Sequence, residues 1–262
     1  MKKILSKHKY SFLFFVIWGL FLFNTSCGLD NFEYIEPPVR VTHSPSPSNS
    51  ESYQNYVEFY TNEPANSSYY SQLNFLGTKV YYNIYKSDIT SFDQTYCKTQ
   101  VDELINLVNE ETNSNSYSTM INKGFKELYL QGQTEGLLIP RVYSSQKVVI
   151  RLTNYTSDVD VARVSVNEDS VGDTAARIGI PVRMVDDKTS FDFFRSGDNN
   201  SIPLNDDPDV NTRDSSALDG STNYYIPLFA CGVAFDTTVY SEQYSNILYL
   251  GTIKVTKDSK DN

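Results

Sequence analysis

The stretch "NYYIPLFACGVAF", Asn223 to Phe235, is apolar at almost every position and lacks the polar alternation of a half-solvated strand. A short apolar run of this kind reads as a strand covered on both faces, and so as the middle of a sheet. Everything else in the body can be placed around it.

Two clear neighbours show alternation instead. In "LGTKVYYNIYKS", Val80, Tyr82 and Ile84 fall on one face and Tyr81, Asn83 and Tyr85 on the other. In "QKVVIRLTNY", Val148, Ile150 and Leu152 alternate with Val149, Arg151 and Thr153. "NYVEFYT", with Val57 and Phe59 against Glu58 and Tyr60, "DVARVSV", "ARIGIPVRMV" and the closing "NILYLGTIKV" complete a strand-rich chain.

The period changes once. In "TQVDELINLVNE", Val101, Leu104, Ile105 and Val108 recur at helical spacing, and Thr99 with Asp102 has the form of a capping box. "STMINKGFKELYL" gives a second helix, with Ile121, Phe125, Leu128 and Tyr129 on one face despite Gly124. The expected fold is mostly β, an antiparallel β-sandwich with a pair of helices inserted at about residues 98–130.

The strands "TKVYYNIY", "YYIPLFACGVAF" and "NILYLGTIKV" resemble the third, sixth and seventh strands of a fibronectin III/immunoglobulin-like sandwich. The inserted helices and the length depart from a plain module of roughly 100 residues. Over most of its length the chain also resembles treponemal (spirochaete) lipoproteins of unknown function. The shared runs are "SCGLDNFEYIEPP", the strand "FLG…VYY.IY", "IPVR…SFDFFRSGDNN" and "YSNILYLG". That resemblance implies a lipid-anchored envelope protein and brings no activity with it.

The start of the chain is in keeping with this. "MKKILSKHKY" holds four lysines and no acid, and "SFLFFVIWGLFLF" follows with only Ser11 polar. A basic run and then a short apolar run is the order of a secretory signal. A spanning helix needs roughly 20 apolar residues, more than this run supplies. Asn24, Thr25, Ser26 and Cys27 then resemble a lipobox, with Asn24 standing where Leu is usual. The expected organisation is a signal peptide over 1–26 and a lipidated N-terminus at Cys27 with a Pro/Ser-rich tether over 27–52. The sandwich domain follows over 53–257 and a tail over 258–262. The tether "EPPVRVTHSPSPSNSES" would span up to about 50 Å if extended.

Taking four lysines from 22 basic residues leaves 18 against 32 acidic ones, a formal net charge of −14 for the mature chain. Such a charge argues against nucleic acid as a partner. The membrane, through the N-terminal lipid, is the expected partner, with a protein or glycan ligand for the body. Location would be bacterial, membrane-anchored, and periplasmic or at the cell surface.

Of the cysteines left after Cys27, Cys97 and Cys231 can be read as a disulfide or as two buried thiols. His43 is the one histidine of the mature chain and lies in the tether, which argues against a Ser-His-Asp or Cys-His enzyme. "SGDNNSIPLNDDPDVNTRDSSALDGS", Ser196 to Ser221, holds six aspartates and one arginine. Tested as a calcium loop on Asp207, Asp209 and Asn211, it puts Thr212 at the glycine position and Leu218 at the glutamate position. A solvated loop is the expectation there, with a noncanonical calcium site left open. The tyrosine pairs at 69–70, 81–82 and 224–225 should each send one ring into the core and one to the surface.

No nucleotide loop, dinucleotide fingerprint or zinc-protease motif occurs. The reading is a non-enzymatic, cofactor-free binding or structural module anchored through Cys27. The alternative is an envelope carbohydrate-binding protein or a carboxylate-dependent glycosidase.

Overall fold

The computed structural model describes residues 35–41, 43–45, 55–62, 72–109, 116–143, 145–153, 162–167, 176–183, 185, 190, 191, 193, 202–215 and 223–256. Along the chain come β1 (Val39–Arg40), β2 (Val57–Tyr60), β3 (Leu73–Tyr82) and β4 (Ile84–Ser87), then helices α1 (Tyr96–Asn109) and α2 (Ser116–Asn122). There follow β5 (Lys126–Glu127), β6 (Tyr129–Leu130), β7 (Ile139–Pro140), β8 (Lys147–Arg151), β9 (Arg163–Val166), β10 (Arg177–Gly179) and β11 (Pro181–Val182). The last are β12 (Val210–Asp214), β13 (Asn223–Asp236), β14 (Ser241–Tyr244) and β15 (Leu248–Val255).

The protein is an antiparallel β-sandwich with one helical layer. β13 runs through the middle of the larger sheet: β3 and β4 pair along one edge, β15 and β14 along the other. β12 adds to β4 in parallel, the one parallel pairing among the described strands. The second sheet is antiparallel throughout, in the order β1-β2-β8-β9-β10. The adjacency β3–β13–β15 is the one implied by likening these strands to the third, sixth and seventh of an immunoglobulin-type sandwich.

Both faces of β13 are buried, for two different reasons. Tyr224, Ile226, Leu228 and Ala230 point to the second sheet and meet Val57, Phe59, Val148 and Ile150. Tyr225, Phe229, Cys231 and Val233 point the other way, onto α1 and α2 through Val101, Leu104 and Met120. Fully burying a side chain such as Leu104 contributes on the order of 2 kcal/mol, so this second core is a substantial part of the stability.

The tyrosine pairs follow from the same geometry. Tyr82 and Tyr224 enter the sandwich core, while Tyr81 and Tyr225 enter the helical one. None of the four is at the surface, contrary to the expectation of one exposed ring per pair, because the sheet is covered on both sides. Tyr69 and Tyr70 lie outside the described residues.

α1 begins one turn before the expected capping box. Thr95 is the cap: its Oγ1 accepts the Lys98 N–H at 3.1 Å. Asp214, at the end of β12, accepts the Tyr96 N–H and ties the edge strand to the helix start. Thr99 and Asp102 are interior, and Asp102 pairs with Lys98 one turn back.

The second helix stops early. Gly124 takes φ +88°, its N–H donates to Ile121 O at 2.9 Å, and the Phe125 N–H donates to Met120 O at 3.4 Å. This is a Schellman end, with Phe125 and Met120 packed in the same core. The helical face expected through Leu128 and Tyr129 is therefore a helix end followed by β5 and β6.

The expected tether is not free at its start. Ile35 is buried against Leu73, Phe75 and Ala234, and β1 pairs with β2. Gly251 carries no side chain where the segment crosses β15; a Cβ there would stand 2.5 Å from Pro45 Cδ. Residues 36–41 and 43–45, read from their prolines and serines as spacer, are thus part of the sandwich because Ile35 and the Val39–Arg40 backbone find an apolar site and an open strand edge. Residues 46–54 of the sequence lie outside the described residues.

Candidate functional site

The aspartate-rich stretch is where the sequence put the most pointed chemistry. Its described part, 202–215, is a turn leading into β12, not a solvated loop. Arg183, following β11, reaches it from below with no exposed surface. Its Nε donates to Asp209 Oδ2 at 2.9 Å and its Nη2 to Asp209 Oδ1 at 2.7 Å and to Asp207 Oδ2 at 2.9 Å. Tyr82 Oη donates to Asp209 Oδ2 at 2.9 Å, and the Leu204 N–H donates to Asp207 Oδ2 at 2.9 Å. The guanidinium also lies 5.7 Å from the centroid of Phe193.

The two aspartates tested as calcium ligands are therefore occupied by a cation the chain supplies itself. A fork-to-fork pair of this kind is strong and directional. It pins β12 to the sheet rather than offering oxygens to solvent. Among the described residues, no group of three or more His, Cys, Asp or Glu is arranged to hold a metal.

Cys97 and Cys231 are both free and both buried in the helical core. Burial pushes each thiol well above its ordinary value, so both stay protonated and unreactive. His43 is held, contrary to its expected place in a free linker: its ring stacks on Tyr56 at 3.8 Å and 9°. Cys27 lies outside the described residues.

A cluster that sequence reading missed sits at the α2 side of the larger sheet. Lys79 Nζ lies 3.5 Å from Glu127 Oε2 and 3.4 Å from Glu242 Oε2. Tyr244 donates to Glu242 and stacks on Tyr117 with centroids 4.0 Å apart. Tyr81 Oη donates to Tyr117 Oη at 3.4 Å. β3, β5, β14 and α2 each contribute, so no local spacing could have announced it.

The two carboxylates compete for one ammonium and come out differently. Burial pushes the Glu127 carboxyl up, against the pull of Lys79. The Tyr244 hydroxyl and then Lys79 hold the Glu242 carboxyl down, against its partial burial. Burial alone would lower the Lys79 ammonium, but the two negative charges outweigh it and raise it. Pairs of carboxyls pushed apart in this way are a feature of acid–base sites, though ion-pair networks produce it as well.

A half-open pocket of about 170 Å³ lies between α1 and the sheet. Ile105, Val108, Phe229, Ile247 and Tyr249 line it, and Arg40 of β1 stands at its rim. Of the four apolar residues read from the α1 spacing, Val101 and Leu104 are buried, whereas Ile105 and Val108 face this opening. It is a mainly apolar recess with one cationic side chain.

No family model matches the chain, and comparisons with curated proteins and with solved structures give no significant match.

Proposed function

We propose that this is a lipid-anchored envelope or surface protein whose β-sandwich body serves as a non-catalytic binding or structural module. The observation that carries the reading is the order of the first residues: a basic run, a short apolar run, and Cys27 behind small residues. Several acyl chains on one cysteine would hold the protein firmly, since each buried methylene contributes about 0.8 kcal/mol. Among the described residues, no helix is long and apolar enough to cross a membrane.

The body's polar clusters support a module rather than an enzyme. Arg183 is ion-paired with both Asp207 and Asp209, and Lys79 stands within ion-pair distance of both Glu127 and Glu242. Their neighbours Tyr117 and Tyr244 stack on each other. Labelled palmitate fed to cells should enter the wild-type protein and not Cys27→Ala; equal labelling of both would overturn the anchoring.

The second reading is an envelope carbohydrate-binding protein or carboxylate-dependent glycosidase, and Glu127 with Glu242 is the observation that favours it. Glycoside hydrolysis needs two carboxyls flanking space for a sugar. Glycan binding or turnover by the wild type that is lost in both Glu127→Gln and Glu242→Gln would replace the first reading with this one.

A further inference from the structure

The hairpin between β13 and β14 ends in two exposed apolar side chains. Val239 is 61% exposed and Tyr240 is 79% exposed. The turn is held rigidly. Asp236 Oδ1 accepts the Thr238 N–H at 2.7 Å and the Val239 N–H at 3.3 Å, and Thr237 donates to Gln72 O through its N–H at 2.9 Å. Tyr240 itself takes φ +54°, a left-handed conformation that is strained for a bulky residue. An exposed ring kept in a strained backbone position at a stiff tip is presented outward.

A third apolar side chain stands at the same end. Val142 is 75% exposed on the turn after β7. Its neighbour Arg141 donates to Asn74 Oδ1, and Asn74 is the register partner of Phe235, one residue from the hairpin turn. The tip and this turn are thus two apolar projections on one end of the sandwich.

The N-terminal chain leaves from that end. Ile35 lies against Ala234, at the base of the hairpin, and a Cβ on Gly232 would meet Ile35 Cγ2 at 3.1 Å. Ten residues later Pro45 lies against Gly251, the register partner of Leu228. From Pro45 back to Ile35 the chain therefore runs toward the hairpin. Ile35 stands only eight positions after Cys27, a reach of at most about 28 Å.

We propose that Val239, Tyr240 and Val142 form a membrane-contact tip, seated in the headgroup region of the bilayer that holds the lipidated Cys27. This rests on the anchoring reading. The occupant follows from two facts: the described chain begins at this end of the sandwich, and the stretch between Ile35 and Cys27 is short. Tyrosine with an apolar neighbour suits that interface, since the ring is apolar and its hydroxyl stays wet. A few side chains bind a bilayer weakly alone, but the tether keeps them at high effective concentration, so the tip sets orientation instead of affinity.

Trp18 is the protein's one tryptophan and precedes Cys27, so a tryptophan placed in the mature body reports alone. The mature chain carrying Tyr240→Trp is reconstituted in phosphatidylcholine vesicles with and without brominated acyl chains. Leu204→Trp, 45% exposed in the parent and on the turn before β12, is the control. The Tyr240→Trp variant should lose about half its indole emission to brominated lipid, as expected of an interfacial ring, and the Leu204→Trp variant should lose none. Equal quenching of both, or of neither, overturns the tip. Intact mass before reconstitution reads acylation separately. Should the chain prove unacylated, the anchoring reading falls, and the same pair of variants held on a chelating lipid by an N-terminal histidine tag at position 27 still decides the tip.

Discussion

Arg183 and Asp209 form a fully buried bidentate pair, with the guanidinium and the carboxylate both at zero exposure. Their positions in sequence are 26 residues apart, and Asp209 immediately precedes β12. Arg183→Met should cost about 3–5 kcal/mol, because it leaves Asp207 and Asp209 buried without their cation. Removing the charges as well, in Arg183→Met with Asp207→Asn and Asp209→Asn, should recover part of the loss. Urea midpoints at neutral pH measure both. Millimolar calcium should leave the wild-type melting temperature unchanged, and a clear rise would mean that the aspartates are available after all.

The thiols give a count that bears on both core and anchor. The chain has three cysteines. With Cys97 and Cys231 buried and protonated, neither should react fast with a disulfide reagent in the native mature protein. In denaturant without reductant, two thiols should appear if Cys27 is acylated and three if it is free. None appearing until reductant is added would mean that Cys97 and Cys231 are joined.

Glu127 and Glu242 should contribute to stability with opposite signs of pH dependence. The Glu127 carboxyl binds its proton more tightly in the folded chain, so its contribution is full below 4.5 and is lost as pH rises through the raised value. The Glu242 carboxyl is held down, so its contribution is present above 4.5 and is lost as pH falls through the lowered value. Relative to the parent, Glu127→Gln should gain stability between about pH 4 and pH 7, and Glu242→Gln should lose it. Denaturant midpoints at the two pH values test the pair, and slopes of the same sign would refute the assignment.

The helix ends separate the expected caps from the actual ones. Thr95→Ala should cost about 1 kcal/mol and Thr99→Ala much less, because Thr95 caps α1. Gly124→Ala should cost about 1–2 kcal/mol, since φ +88° is strained for any residue with a Cβ. In the helix interior, Leu104→Ala should cost about 2–5 kcal/mol. Ile105→Ala should cost less than Leu104→Ala, because Ile105 faces the open recess.

Much of the fold was legible because strand and helix burial obey short periods. The faces read for Val80, Tyr82 and Ile84, and for Val148, Ile150 and Leu152, are those found in the sandwich core. The two-sided apolarity of Asn223 to Phe235 correctly marked the central strand. Misplaced elements were those governed by local exceptions: one glycine ended α2, and one threonine outside the apolar pattern began α1. The start of the tether was misread because proline and serine content cannot show that Ile35 has a pocket waiting near Ala234.

The sequence by itself determined the class of the fold, the central strand, the helical insertion and the expectation of a lipid anchor, because each is written in patterns a few residues to a few tens of residues long. Only the tertiary structure decided what the polar residues do. Asp207 and Asp209 look like ligands until Arg183 arrives from the segment after β11, and Lys79, Glu127 and Glu242 have nothing in common until three strands set them side by side. The strength of a charge depends on its neighbours within a few ångströms and on its burial, and the path of the chain in space supplies both.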